Sequence, residues 1–417
     1  MKNPSSFEFV QLRCAIASGS VDIPQAVADA LGNPIDFPSI DLALVPGDCV
    51  AIAVHESLPQ PEPIVKAIVE WLLSKHPASD LSIRIVLAPG NESLAQELDD
   101  WLATRWPVSD LDADRSADRA SDKTSDKTSD KTITELTPSH SIQRVMCHDP
   151  DDQQNLEYIS ATERSEAIYL NRELVEADFV IPIYRWLEPK DPRGHDPYVV
   201  LPAFGDRATQ ARYAKSWLQQ HEPARGTHKK ASESGWLAGI QYAIGAVANQ
   251  EGLIAMLVGG APESVDKVCS QGVHAAPNPT ETPSQEGFEL VVVELVDPLR
   301  VPSWTQVASA AWSAQQWLSP AGRIVVVATS LSEVTPGIGA LASDDPDEEL
   351  QQTLLTSSLQ DAYAAAVLRD IQSRRSVYVQ SQVDPELLES LGFASIRDPS
   401  ELERLMQKSK RVGVMEY

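Results

Sequence analysis

GDCVAIAVHESLPQPEPIVKAIVEWLLSKH, residues 47–76, is the stretch on which the reading of this chain turns. It begins with an unbroken run of small and branched apolar residues, Val50 to Val54, bounded by Gly47-Asp48 and Pro59. Apolar residues without alternation mark a strand covered on both faces, as in a parallel sheet. Ile64, Val65, Ile68, Val69, Leu72 and Leu73 then recur at helical spacing. A buried strand followed by such a helix predicts a parallel sheet with right-handed crossovers.

The unit repeats outward. Leu81 to Leu87 reads as a second strand and Ser93 to Trp106 as a second helix. Order returns near Ile142–His148, and Ala177–Tyr184 reads as another buried strand. Ala231 to Val258 is read as a small-residue-rich helix joined to a last strand of this half. A second α/β pattern starts at Phe288, with strands at 288–296, Arg323–Ser330 and Ser376–Ser381. Its helices are expected over Ser303–Leu318, over Leu350–Ile371 as one long helix, and over Glu401–Ser409.

Two segments interrupt the pattern. Ala113 to Thr132 carries three tandem copies of SDKT and almost no apolar residues. It buries too little surface to offset its ordering entropy, so an insertion at about 110–135 is expected to be disordered. Ala275 to Gly287 is a linker by composition. The expected architecture is therefore two Rossmann-like α/β domains, 1–274 and 288–417, with mainly parallel sheets and an interdomain cleft.

Totals narrow the function. The chain has 417 residues, enough for more than one core, and 42% hydrophobic with 23% charged residues, as in soluble globular proteins. Its 34 basic against 60 acidic residues leave a net charge of -26, which repels nucleic acid and anionic membranes. No apolar run reaches the roughly 20 residues of a membrane span. The N-terminal MKNPSSFEFVQLRC lacks the basic-then-apolar order of a secretory signal. Cys14, Cys49, Cys147 and Cys269 have no paired spacing, which fits a reducing cytoplasm. The expected protein is cytoplasmic, with a small-molecule ligand and no nucleic-acid or membrane partner.

No phosphate-binding glycine loop, HExxH or GxSxG is present, and the eight histidines lack metal-ligand spacing. What remains is position. Open parallel sheets bind ligands beyond the carboxyl ends of their strands. Three loops fall there: His55-Glu56-Ser57, Gly90-Asn91-Glu92, and Glu188 to His195 after the Phe179–Tyr184 strand. A lone histidine at a strand end, such as His55, is more often structural than catalytic.

The order of these landmarks resembles the nickel-pincer lactate racemase family (LarA-like proteins) over nearly the whole chain. The family's glycine-aspartate, strand and Ser-Asp-x-Thr-Arg-Pro loop correspond to Gly47 through Pro59. Its Ala-x-Gly-Thr-His-Arg loop corresponds to Ala88-Pro-Gly90-Asn91-Glu92, and its Asn-x5-Ala-Asp to Asn171 through Asp178. Its Leu-Pro-Gly corresponds to Leu201-Pro202-Ala203, and its Tyr-Gln-x-x-Lys to the segment containing Ser303, Trp304 and Gln306. The resemblance implies two acid/base histidines, a lysine holding the cofactor covalently, a nickel-binding histidine, and basic residues for phosphate and substrate.

Here the chemistry departs from that pattern. The two histidine positions fall on Glu92 and Glu188, and the cofactor lysine falls on Tyr198. The aspartate and arginine of the first loop fall on His55 and Leu58, and the later lysine has no counterpart. Near Ala214 no nickel-binding histidine is found. Lys190 and His195 are the displaced stand-ins that a shifted register would use.

The leading expectation is a LarA-like protein with a degenerate active site. It would lack nickel-pincer racemase activity and keep a cleft for a small hydroxy or carboxy ligand. No cofactor is then expected; the nickel-pincer nucleotide returns only if the family chemistry survives in a shifted register. The alternative is an isomerase, a hydroxy-acid racemase or epimerase. It would use Glu92 and Glu188 as a carboxylate pair, with His55 as a third catalytic candidate, or a shifted racemase-type site. Candidate binding residues are Lys190, His195, Tyr198 and Gln306. Oligomeric state is not legible.

Overall fold

The computed structural model describes residues 8–11, 19–56, 58–76, 81–105, 141–162, 165–186, 200–220, 235–249, 252–274, 287–295, 302–357, 359 and 361–416. The SDKT insertion, the 275–286 part of the expected linker and the 187–199 loop lie outside them.

The first sheet contains strands β2 (Cys49–Val54), β3 (Ser82–Leu87), β4 (Ser141–Cys147), β7 (Phe179–Arg185), β8 (Ala243–Ala248) and β9 (Ile254–Gly260). Their order is β4-β3-β2-β7-β8-β9, parallel except for the last pairing. The second sheet contains β1 (Glu8–Gln11), β10 (Phe288–Glu294), β11 (Leu318–Val327), β12 (Val377–Gln380), β13 (Ala394–Ser395) and β14 (Arg411–Glu416). Its order is β1-β14-β10-β11-β12-β13, parallel throughout. A separate antiparallel hairpin joins β5 (Leu156–Ala161) to β6 (Ala167–Asn171). The mainly parallel α/β architecture read from residues 47–76 is thus present in both halves. The strand at the N-terminus crosses over to the second sheet.

The apolar spacing explains the layers. Helix Pro61–Lys75 buries Ile64, Val65, Ile68, Val69, Leu72 and Leu73 against Val50, Ile52 and Val54. The opposite face, with Ala51, Ala53, Val86 and Ala88, is covered by Ile168, Leu170, Leu174 and the Val200–Phe204 turn. In the second sheet Val291, Val293, Ile324 and Val326 meet the helices Trp304–Gln315 and Ala362–Gln372. Leu290, Val292, Val325 and Val412 face the helix Pro399–Gln407. Each sheet is sandwiched, so its strands need apolar residues on both sides.

Three readings need correction. Ala243–Ala248 is a fully buried strand, not part of a small-residue helix. Burial decides over alanine's helix propensity here: a Cβ on Gly245 would meet Val265 Cγ1 at 2.7 Å and Cys269 Sγ at 2.8 Å, so β8 lies close under helix Pro262–His274. The single helix expected over Leu350–Ile371 is two, Asp347–Thr356 and Ala362–Gln372. Asp361 adopts φ 59°, its carboxylate accepts from Thr305 Oγ1 at 2.9 Å, and the Ser357 hydroxyl accepts from the Leu359 N–H at 3.1 Å. Such local side-chain bonds compete with the helical ladder. The helix expected to reach Leu318 stops at Gln315, and Leu318 already belongs to β11.

Among the described residues, helix Arg207–Gln220 links the two halves. It starts at the turn over the first sheet. Its Ala211 packs in the core of the second half, and Lys215 Nζ donates to Gln352 Oε1 at 2.9 Å.

Candidate functional site

The parallel strands β4, β3, β2 and β7 end at one edge, and the backbone ladder runs one residue past each end. His148 N–H donates to the Leu87 carbonyl (2.8 Å), Ala88 N–H to Val54 (2.9 Å) and His55 N–H to Ile183 (3.0 Å). The pairings Val54↔Leu87 and Leu87↔Cys147 put His55, Ala88 and His148 in one row across the sheet. Residues in one row share a face. The His55 and His148 backbones are therefore roughly 10 Å apart, two strand spacings. Both are buried, His55 at 6% and His148 at 3% exposure.

His148 was not singled out from sequence. Its ring nitrogens both have partners: Nε2 lies 3.0 Å from the Gly205 carbonyl, and Nδ1 lies 3.1 Å from Asn171 Nδ2. Burial holds its pKa below the ordinary histidine value, only partly opposed by the Gly205 bond and by Asp149. A neutral, doubly bonded ring is a structural residue. The available signal was its position directly after the Ile142–Cys147 strand, the same signal that picked out His55.

Glu92 opens helix Glu92–Arg105 and is exposed at this edge. The loop before it is held by Asn91 Nδ2 donating to the Ala88 carbonyl at 2.8 Å. Cys147 lies beside this loop. Burial pushes its thiol pKa up, the Glu92 carboxylate adds to that, and a bond to the Asn91 backbone works against it. A thiol so placed is a poor nucleophile. His55, Glu92, Cys147 and His148 thus all lie at this edge, with Cys147 beside Glu92 and packed on the sheet face opposite the histidine row. Glu188, Lys190, His195 and Tyr198 lie outside the described residues.

Gln306 is in the other half, in a capping box. Its Oε1 accepts from the Ser303 N–H at 2.8 Å while Ser303 Oγ accepts from the Gln306 N–H at 3.2 Å. That bond accounts for its side-chain carbonyl locally. Three residues on, where the Tyr-Gln-x-x-Lys pattern has lysine, Ser309 is 1% exposed inside the helix. Leu58, at the arginine position of the first loop, is 2% exposed within the core. Among the described residues no group of three or more histidines, cysteines or carboxylates is placed to hold a metal ion. No described helix is long and apolar enough to cross a membrane.

The fold and edge define a class: two parallel α/β sheets with polar loops gathered at the carboxyl ends of the first. Solved structures specify it further. The lactate racemase apoprotein from Thermoanaerobacterium thermosaccharolyticum superposes with a TM-score of 0.67 at 15% identity, covering 98% of this chain and 97% of that one. A structural-genomics protein from Thermotoga maritima matches with a TM-score of 0.58 at 10% identity, over 95% of this chain and 97% of its own. The chain has the fold of the lactate racemase apoprotein along nearly its whole length. No protein-family model and no curated protein matches it.

Proposed function

We propose that this chain is a diverged LarA-like protein without nickel-pincer racemase chemistry, which binds a small hydroxy or carboxy ligand at the His55–Glu92 edge. The observation that carries this reading is the burial of Leu58 and Ser309 where the family pattern requires cations. Neither side chain can neutralise a phosphate, and an unpaired buried anion costs several kcal/mol. The described residues therefore do not fit the nickel-pincer nucleotide. The position of the edge beyond parallel strands supports a ligand site there.

The test is a thermal-shift screen against hydroxy acids and sugar acids, repeated with Glu92→Ala and His55→Ala. The reading expects at least one acid to raise Tm in the parent and to lose that effect in a variant that still folds. If no acid shifts Tm, or the shift survives both changes, the edge is not the site.

A second reading, an isomerase using a carboxylate pair, is favoured only by Glu92, whose exposed carboxylate faces the edge beside Cys147. It expects racemisation or epimerisation of a hydroxy acid that Glu92→Gln and Glu188→Gln each abolish. Unchanged turnover in both variants would remove it.

A further inference from the structure

Three chain segments meet at His148: the end of β4, the end of β6 and the 200–206 turn. Asn171 Oδ1 accepts from the Glu173 N–H at 3.0 Å, which fixes the amide so that its NH2 faces His148 Nδ1 at 3.1 Å. Nδ1 must then accept. The ring proton sits on Nε2 and is donated to the Gly205 carbonyl at 3.0 Å. Only the neutral Nε2–H ring satisfies both bonds. A proton on Nδ1 would oppose the Asn171 NH2. Turning that amide over would instead oppose its NH2 to the Glu173 N–H.

The bonds on the far side lead to the second half. The Gly205 carbonyl also accepts from Gln210 Nε2 at 3.2 Å. Asp206 Oδ1 accepts from the Thr209 N–H at 3.3 Å, and Arg207 makes a two-point contact with Asp151. The helix so started carries Ala211 and Lys215 to the second half.

We propose that His148 is a proton-sensitive latch: the neutral ring bridges the Asn171 amide at the end of β6 to the Gly205 carbonyl of the 200–206 turn, whereas the charged ring keeps its Nε2–H bond to Gly205 but opposes the Asn171 NH2 and so parts β6 from the turn. The surrounding charges are largely engaged elsewhere. Glu173 pairs with Arg84, Asp151 with Arg207, and Arg212 donates to the Ala167 carbonyl and Thr209. Glu92 acts on Cys147 one residue away. Burial most of all resists charging the ring; the Gly205 bond, Asp149 and Asp206 favour it, while Arg207 opposes it. The sign follows. A histidine whose folded pKa is depressed keeps its neutral contacts at neutral pH and loses them as pH falls below its ordinary value of about 6.5, through the lower folded value.

Amide hydrogen exchange on the full chain, normalised to unstructured rates, tests this between about pH 7.5 and 5, the range a histidine spans. Protection at Asn171 and Asp206, whose N–H groups bond to the Phe204 and Tyr169 carbonyls across that joint, should drop roughly tenfold on acidification, about one hydrogen bond's worth, while the His55 and Ala88 amides hold. In His148→Gln the acid-dependent drop should vanish. A flat profile in the parent, or the same drop in His148→Gln, overturns the proposal. If His148→Gln does not fold, nitrogen NMR of the parent ring decides: a neutral ring protonated on Nε2 at neutral pH is expected, and an Nδ1-protonated or cationic ring is contradictory.

Discussion

Gly259 and Gly260 show what one missing side chain secures. A Cβ on Gly259 would run into the Tyr242 hydroxyl and the Ala30 carbonyl, which are hydrogen-bonded to each other at 2.9 Å. Gly260 has φ 155° and lies against the Ile35 backbone, which bonds to Gly259 and Ala261 at 2.8 and 2.9 Å. This pair seats helix Ile23–Gly32 and the segment after it on the antiparallel edge strand. Gly259→Ala should therefore cost about 1–3 kcal/mol, the range for overpacking a filled site, seen as a lower urea midpoint with unchanged slope. A midpoint equal to the parent's would mean that the helix moves aside freely. At the candidate site the residue scale is less generous. His55 and Glu92 were legible because strand ends can be read from apolar runs. The position of His148 after its strand is legible in the same way, but its partners Asn171 and Gly205, 23 and 57 positions away, are not.

Elements with a single local cause were legible, and those set by distant contacts were not. The strand–helix units at 47–76 and 81–105 follow from periodicity, and their helices occur at Pro61–Lys75 and Glu92–Arg105. Ala243–Ala248 was misread because its extended form comes from pairing with β7 and β9, not from its own composition. The antiparallel β5–β6 hairpin and the edge strand β1 went unread: their segments are short, and β1 pairs with residues about 400 positions away, Arg411 to Val414. The Trp304–Gln315 helix was read correctly apart from its end, and its start carries a prediction. Ser303→Ala removes the side-chain half of the capping box and should cost about 1 kcal/mol, measured by denaturant unfolding. No loss would show that Gln306 holds the helix start alone. A ligand role for Gln306 would instead appear as a binding defect in Gln306→Ala larger than its stability defect.

Across the whole molecule, helix Arg207–Gln220 spans the two halves, and its Ala211 is 9% exposed in the second half's core. Ala211→Arg would force a long cation into that contact, at a cost of roughly 1–3 kcal/mol. Calorimetry should show a lower Tm or a transition split in two; an unaltered single transition would mean that the helix adds nothing to the joint stability. The same scale frames the functional account. A fold shared with a lactate racemase apoprotein over 98% of the chain coexists with 15% identity, and the two described positions that the sequence resemblance aligns with cations hold a buried leucine and a buried serine. A scaffold constrains where a ligand sits far more than what is done to it. The most direct measurement is metal content and intact mass of the purified protein, co-expressed with the enzymes that assemble the nickel pincer. The account predicts no bound nickel and the unmodified mass. Stoichiometric nickel with a nucleotide adduct on Lys190 would contradict it.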